Sequence, residues 1–256
     1  MWGKSAPHHA PQVLEKIKMC YIDKNLTIQG VVMSKTHSYA LVDIDRAKIG
    51  FCICIFATLL SSILFSIISW FSDFFIGTNN QVIVIPLSVG TMYCIIFFIF
   101  DRWLWKGYRF KKYLKVPDLS GTWQCHGVSV KSAEILSSAG EDEETSRIYE
   151  WDAIIKISQS WNKLLVSLET KDSISNSVMA SLAIAETEIH DHELSYGYLN
   201  EPNSTAPKDM KKHDGFCQLR FSSDLTSAKG TYFTNSRDRI SHGTMSLSKI
   251  NAREGI

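Results

Sequence analysis

The chain has 256 residues and an almost balanced charge, with 27 Lys and Arg against 26 Asp and Glu. Residues 1–115 carry 13 basic against 6 acidic side chains, whereas residues 116–256 carry 14 against 20, a net charge of −6. This acidic second half argues against polymeric DNA or RNA as a partner, because such binding depends on neutralising many phosphates.

Two uncharged apolar runs follow a leader of residues 1–48. They cover residues 49–71 and 82–100, which are 23 and 19 residues long. A hydrocarbon core about 30 Å thick needs about 20 helical residues, so both runs are predicted to span a membrane. The sequence therefore predicts a transmembrane helical hairpin over residues 49–103.

Basic residues near these spans are distributed unevenly. The turn of residues 72–81 has no Lys or Arg, whereas residues 102–115 have six. Because short cytoplasmic segments carry the excess of Lys and Arg, this pattern predicts that both termini lie in the cytoplasm.

One face of the first predicted helix carries small hydroxyl residues, which allow helices to approach closely and to hydrogen-bond across the contact. These residues are Thr58, Ser62, Ser66 and Ser69. Two interpretations stay open. The stripe packs against the second span near Gly90, or it forms the seam between protomers of an oligomer.

A basic linker, residues 104–117, leads to residues 118–250, where the hydrophobic period becomes 2. Eight short strands are predicted there, and they cover residues 122–130, 149–158, 164–170, 178–185, 192–199, 215–221, 229–234 and 243–250. Such a series is typical of an antiparallel barrel or sandwich. We predict a membrane-anchored all-β protein with an eight-stranded, up-and-down, lipocalin-like β-barrel that has room for one small ligand. Residues 251–256 form a tail.

Alternation along the strands predicts which side chains face the barrel interior. In the fourth predicted strand, Val178 and Leu182 belong to the inward set. In the fifth, Tyr196, Tyr198 and Asn200 do, so the interior carries hydroxyl and amide groups as well as apolar ones. The two tyrosines are either core residues or ligand contacts.

The sequence contains no recognisable catalytic motif, so no enzyme, cofactor or catalytic residue is predicted. Only Cys125 and Cys217 of the six cysteines lie beyond residue 115, and no C-x-x-C occurs, which favours neither a disulfide framework nor a zinc site. His190 and His192 are expected to be exposed turn residues rather than metal ligands. Trp123 is predicted to plug one end of the barrel, with ligand stacking as the alternative.

Hydrogen-bond donors and one aromatic ring gather near the end of the seventh predicted strand. They are Tyr232, Thr234, Asn235, Arg237 and Arg239. Arginine side chains and a stacking ring are what recognition of a phosphate-bearing base requires.

The order of these parts resembles a known family. The segments that carry the resemblance are Asp-Leu-Ser-Gly-Thr-Trp at 118–123, Gly-Thr-Tyr-Phe-Thr-Asn at 230–235 and Gly-Thr-Met at 243–245. Together with the two spans and the basic linker, they resemble the two-transmembrane, β-strand-rich effectors of bacterial CBASS anti-phage operons.

The resemblance implies that the cytoplasmic barrel binds a cyclic dinucleotide made by a companion nucleotidyltransferase. It also implies that ligand binding makes the spans oligomerise in the bacterial inner membrane, which disrupts the bilayer and causes abortive infection. Ligand contacts are then expected from Tyr196, Tyr198, Tyr232, Thr234, Asn235, Arg237 and Arg239.

Two other classes of function stay open. The barrel could be a lipocalin-like binder of an apolar molecule or lipid, which predicts a lumen without arginines near its mouth. It could also be a structural module that binds a protein through its acidic outer surface, which predicts a filled core.

Overall fold

The structure is a computed structural model and describes residues 35–42, 44–76, 88–131, 147–184, 192–207, 210–236 and 239–250. The predictions for residues 1–34, for the start of the second span and for the tail of residues 251–256 lie outside these residues. So do His190 and Arg237.

In the described part of the chain, three α-helices precede the barrel. They are α1 (Arg46–Ile76), α2 (Val89–Arg102) and α3 (Tyr108–Leu114), with a 3₁₀ turn at Leu104–Lys106 between α2 and α3. Residues Arg46–Phe71 of α1 are long and apolar enough to cross a membrane.

The second helix begins at Val89, and Ser88 is its N-cap, whose Oγ accepts a hydrogen bond from the Thr91 amide at 3.1 Å. The 14 residues of α2 extend about 21 Å at about 1.5 Å per residue. This length is shorter than a hydrocarbon core of about 30 Å. A second crossing of the membrane therefore stays a prediction.

The helical hairpin is held by small and apolar residues on facing sides of α1 and α2. Ile53 and Ala57 of α1 are buried, as are Met92 and Phe100 of α2. A Cβ atom at Gly50 would lie 3.6 Å from the Tyr93 hydroxyl, so the two helices approach closely there.

The hydroxyl stripe lies on a different face of α1. Thr58, Ser62 and Ser66 are exposed, and each hydroxyl donates to the carbonyl four residues earlier at 3.0 Å; Ser69 is half-buried. The three exposed hydroxyls therefore do not pack against the described part of α2. Their role as an oligomer seam remains a prediction.

Eight antiparallel strands form the barrel, and the fold prediction is confirmed. They are β3 (Gly121–Lys131), β4 (Arg147–Gln159), β5 (Lys163–Glu169), β6 (Ser173–Ala183), β7 (His192–Pro202), β8 (His213–Phe221), β9 (Ser227–Ser236) and β10 (Arg239–Lys249). Sequential neighbours pair, β10 pairs with β3, and β5 pairs with β6, which closes the sheet. Each predicted strand exists, most of them longer than predicted.

The closure between β5 and β6 is short. It has three residue pairs, from Ser167 opposite Asn176 to Glu169 opposite Ile174. Beyond them two short strands occupy the strand edges, with β1 (His37–Ser38) pairing with β5 and β2 (Ala40–Leu41) pairing with β6. The chain just before α1 therefore completes the barrel wall.

The inward set predicted for β6 is wrong at Val178, which is 54% exposed. The pairing of β6 with β7 shifts register between Ser177 and Met179, which is a β-bulge. A bulge adds one residue to a strand and reverses the alternation beyond it. Ser177 is consequently buried before the bulge, and Leu182 is buried after it.

One end of the barrel faces the helices. The β4–β5 turn carries Trp161, whose ring centroid lies 5.3 Å from that of Phe100 and 6.4 Å from that of Trp105. Trp123 and Phe221 fill this end and are fully buried. The opposite end holds the β5–β6 and β7–β8 turns and faces away from the helices.

Hydrogen bonds fix the helix end of the barrel to α2 and to the segment that enters β3. Asp101 Oδ1 accepts from Ser160 Oγ at 3.1 Å and from the Asn162 amide at 2.8 Å. Lys106 forms an ion pair of 3.0 Å with Asp118. This set of contacts around α2 is called the joint below.

Candidate ligand-binding site

A cavity of about 540 Å³ occupies the barrel near the end that faces away from the helices. Its volume falls within the range of about 300 to 1,000 Å³ that is usual for small-molecule sites. All eight barrel strands contribute residues to its lining, together with Met210 and the β5–β6 turn. The cavity therefore opens on the side where the predicted donors of β9 and β10 lie.

Strand β7 supplies buried polar groups, as its alternation predicts. Tyr196 is 4% exposed and Tyr198 is 7% exposed, and their ring centroids are 6.4 Å apart. The Tyr198 hydroxyl donates to the Phe233 carbonyl at 3.4 Å, and the Tyr196 hydroxyl interacts with the Cys217 thiol. Burial raises the pKa of both tyrosines, so both are neutral rings with hydroxyl donors at physiological pH.

Asn200 continues the inward face of β7 and is 4% exposed. Its Oδ1 accepts a hydrogen bond from Ser175 Oγ of β6 at 2.7 Å. This bond identifies Oδ1 as the acceptor that faces Ser175, so the amide nitrogen Nδ2, with its two N–H donors, lies on the side away from Ser175. Asn200 and Ser175 thus present a fixed amide next to the short β5–β6 closure.

Trp151, Ser129 and Tyr232 form a hydrogen-bonded cluster on the opposite wall. The indole Nε1–H of Trp151 donates to Ser129 Oγ at 2.9 Å and to the Tyr232 hydroxyl at 3.1 Å, and those two hydroxyls also bond to each other. The Trp151 and Tyr232 rings meet edge to face, with centroids 5.8 Å apart. Three strands are therefore joined through side chains at this point.

Thr234 also lines the cavity, and its hydroxyl joins β9 to β10. Thr234 Oγ1 donates to the Ser241 carbonyl at 3.2 Å and accepts from the Ser241 amide at 3.2 Å. Asn235 follows on β9, opposite Asp214 of β8. Arg239 begins β10, so its backbone lies at the mouth, and Arg237 lies outside the described residues.

Trp123 lies at the other end of the barrel and does not line the cavity. Its ring is fully buried, 5.2 Å from the Phe221 ring, and its Nε1–H donates to the Leu119 carbonyl at 3.2 Å. The Lys249 ammonium lies 5.1 Å from the centre of the ring. This position fits a plug, and it gives ligand stacking by Trp123 no support.

Some cavity residues were not predicted as site residues. Trp151 and Ser129 both line the cavity, and neither is among the ligand contacts predicted from the sequence. Lys171 and His213 add basic groups at the mouth, where they come from turns or strand ends that alternation does not describe. The sequence signal available was a Trp at an inward position of β4, which β3 and β10 separate from Tyr232 of β9.

The buried thiols are not arranged for chemistry. Cys125 and Cys217 are free and buried, and burial raises the pKa of each to about 12. Neutral thiols are weak nucleophiles and weak metal ligands. Among the described residues, no group of three His, Cys, Asp or Glu is placed to hold a metal ion. The resolved titratable groups of the lumen thus favour their neutral forms, which suits binding.

Comparison with known proteins identifies the family. Residues 114–249 match the family model described as Cap15, cyclic dinucleotide receptor domain, and residues 47–106 match Cap15, TM helices. CD-NTase-associated protein 15 of Yersinia aleksiciae is 33% identical over 222 residues, which cover 84% of this chain and 98% of that protein. The resemblance to CBASS effectors is confirmed, and the chain belongs to the Cap15 family.

Proposed function

We propose that this CBASS effector binds a cyclic dinucleotide in the barrel cavity and responds by assembling its transmembrane helices in the bacterial inner membrane. Assembly disrupts the bilayer and ends growth of the infected cell. The observation that carries the proposal is the cavity itself, which combines aromatic rings and fixed hydrogen-bond donors in about 540 Å³.

The chemistry of the cavity suits a cyclic dinucleotide. Such a ligand has two flat bases and two phosphates, so it needs rings for stacking and donors for anionic oxygen atoms. Trp151, Tyr198 and Tyr232 supply rings. Donors come from Asn200 and from the hydroxyls, and Lys171 lies at the mouth. We also assign phosphate contacts to Arg237 and Arg239, as the resemblance implies.

The joint provides the route from the barrel to the membrane. Asp101 and Phe100 belong to α2, and both contact the β4–β5 turn directly, so the barrel and α2 are connected by specific side-chain contacts. A ligand can drive assembly only if it binds the assembled state more tightly than the single chain. The contacts of the joint would allow a change in the barrel to reach α2.

The surface of α1 offers contacts for lipid and for other copies of the chain. Phe51, Phe65 and Phe74 are among its large exposed apolar side chains. The exposed hydroxyls of Thr58 and Ser62 interrupt this apolar surface, and small hydroxyl residues favour close packing between helices in a bilayer. We assign the oligomer seam to this stripe, with both termini in the cytoplasm.

Titration of the full chain in detergent tests the proposal. We expect calorimetry to detect binding of at least one of a panel of 3′,3′-linked cyclic dinucleotides that covers the four common bases. Tyr198→Ala should weaken it by about 1 to 3 kcal/mol through lost stacking. Arg237→Ala should weaken it by about 1.5 to 3 kcal/mol through a lost charged hydrogen bond.

A growth assay tests the membrane step. Cells that express the full chain with the synthase of the bound ligand should arrest, whereas cells that lack the synthase should grow. Absence of binding across the panel would refute sensing. Arrest without any synthase would refute ligand control.

The two alternative classes receive less support from the cavity. A binder of apolar molecules would not be expected to place the Asn200 amide on the wall, because its N–H donors would lose water without a partner in the ligand. A structural module would be expected to have a filled core.

A further inference from the structure

Three aromatic side chains of the cavity share one feature of strand register: each lies directly opposite a glycine on the neighbouring strand. The pairs are Trp151 with Gly127, Tyr198 with Gly215, and Tyr232 with Gly243. All three rings line the cavity. In each pair, a large aromatic ring on one strand therefore faces a residue without a side chain on the next strand.

The space that each glycine leaves empty is taken by the ring opposite. A Cβ atom at Gly127 would lie 2.2 Å from two carbon atoms of the Trp151 indole. A Cβ atom at Gly215 would lie 2.4 Å from the Tyr198 hydroxyl, and one at Gly243 would lie 2.7 Å from that of Tyr232. The Trp151 ring thus lies over the backbone of β3, with one face against the wall and the other toward the cavity.

The orientation of Trp151 is fixed at its edge as well. Its single N–H is shared between Ser129 Oγ at 2.9 Å and the Tyr232 hydroxyl at 3.1 Å, so the indole has no donor left for a ligand. What Trp151 offers to the cavity is the face of the largest aromatic system there. Stacking on aromatic faces is the sequence-tolerant way in which proteins hold nucleobases.

We propose that Trp151 is the main stacking surface for a base of the cyclic dinucleotide, and that Gly127 is the residue that positions its ring. This inference rests on the proposed function, because it names residues of the same site. It assigns to β3 and β4 a part of recognition that the resemblance places on β7, β9 and β10.

Gly127 differs from the other two glycines in what a side chain would meet. A Cβ atom at Gly215 would lie 2.5 Å from the Phe233 carbonyl oxygen, and one at Gly243 would lie 2.2 Å from that of Val128. Both substitutions would disturb the backbone of the sheet. At Gly127 the three nearest atoms all belong to the Trp151 ring, so Gly127→Ala displaces that ring into the cavity and spares the backbone.

Gly197 offers a matched control on the same barrel. Its added Cβ atom would lie 3.0 Å from Cγ of Met179, a flexible side chain that is 62% exposed on the outer surface. Gly197→Ala therefore makes the same chemical change in a strand without touching a cavity ring. Differences between the two variants report on Trp151 rather than on glycine in a strand.

The test measures binding to the full chain in detergent, with the panel of 3′,3′-linked cyclic dinucleotides as probes. Trp151→Ala should raise the Kd by about 5- to 150-fold, the range that corresponds to one lost base stack. Gly127→Ala should also raise the Kd, and Gly197→Ala should leave it within about twofold of the wild type. Trp151→Phe keeps a smaller ring and should restore part of the affinity.

A double variant separates positioning from stability. If Gly127 acts through the Trp151 ring, then Gly127→Ala should change the Kd by less than about twofold when Trp151 is already Ala. Tryptophan fluorescence provides a second readout, because a base stacked on Trp151 should quench emission in the wild type and not in Trp151→Phe. Circular dichroism of each variant verifies the barrel.

Two results would overturn the inference and leave the proposed function standing. In the first, the wild type binds and Trp151→Ala binds equally well. In the second, Gly127→Ala weakens binding by the same factor with and without the Trp151 ring. A wild-type chain that binds no member of the panel would instead overturn the proposed function, and this inference with it.

Discussion

Removal of the Asp101 carboxylate should separate ligand binding from the membrane response. Asp101 is the penultimate residue of α2, and its Oδ1 accepts hydrogen bonds from Ser160 Oγ at 3.1 Å and from the Asn162 amide at 2.8 Å. Both donors belong to the β4–β5 turn at the helix end of the barrel. The Asp101 carbonyl also accepts from the Trp161 amide at 3.1 Å, and a side-chain substitution keeps that bond.

The expected loss follows from the two side-chain bonds. Hydrogen bonds to a charged group contribute about 1.5 to 3 kcal/mol each, so Asp101→Ala should weaken the joint by about 3 to 6 kcal/mol. Asp101→Asn keeps an acceptor but loses the charge, and charge-assisted bonds are about twice as strong as neutral ones. Asp101→Asn should therefore lose about half as much. The packing of Trp161 against Phe100 and Trp105 remains in both variants.

Two assays on the same variants check this reasoning. Calorimetry on the full chain should give a Kd within about twofold of the wild type, because the cavity opens at the far end of the barrel. Growth arrest in cells with the synthase should weaken in the order wild type, Asp101→Asn, Asp101→Ala. Glu150→Ala is the control, since that exposed carboxylate of β4 is neither part of the joint nor a lining residue of the cavity.

Either of two outcomes would refute the role of the joint. One is a loss of ligand affinity in Asp101→Ala that matches the loss of growth arrest, because the substitution would then have altered the ligand-binding cavity itself. The other is full growth arrest by Asp101→Ala, provided that a lower melting temperature shows that the hydrogen bonds were lost.

Three further predictions concern topology, folding and pH. Reporter fusions at residue 256 and within residues 72–81 should give signals from opposite sides of the membrane. Residues 116–256 alone should give a β-rich circular dichroism spectrum, with a lower melting temperature than the barrel in the full chain because Trp161 loses its cover. Burial raises the pKa of the Cys125 thiol from about 9 to about 12. Below a pH of about 9 the thiol is neutral in both the folded and the unfolded chain, so it does not reduce the free energy of unfolding. As the pH rises from about 9 toward 12, the unfolded chain loses this proton first, and the free energy of unfolding should fall by about 1.4 kcal/mol per pH unit. Cys125→Val should make this decline shallower.

The strands could be predicted where apolar side chains alternate, and less well where hydroxyls replace them. Strand β6 was predicted to begin at residue 178 and begins at Ser173. Ser173 and Ser175 line the cavity and Ser177 is buried, yet serine gives no hydrophobic signal. The serines that made the start of β6 unpredictable from hydrophobicity are therefore also part of the candidate site.

The candidate site could be predicted along each strand but not across strands. Alternation alone places Tyr196, Tyr198 and Asn200 in the lumen. The pairing of Trp151 with Gly127 depends on the register between β3 and β4. These strands are 15 residues apart in the sequence, and no local pattern determines their register. Sequence reasoning therefore found the tyrosines and missed the tryptophan.

The geometry of the barrel connects the cavity to both helices. The β5–β6 closure has three residue pairs, fewer than the other contacts between barrel strands, so it is expected to open most easily. Ser175 belongs to that closure and holds Asn200 at the cavity wall. On the other side of the same gap, His37 bonds to Ser177 at 2.7 Å, nine residues before α1 begins at Arg46. A ligand that binds the Asn200 amide therefore lies next to the β5–β6 closure, the shortest strand pairing of the barrel. The segment that leads into α1 is attached at this same closure, and the joint holds α2 at the opposite end of the barrel.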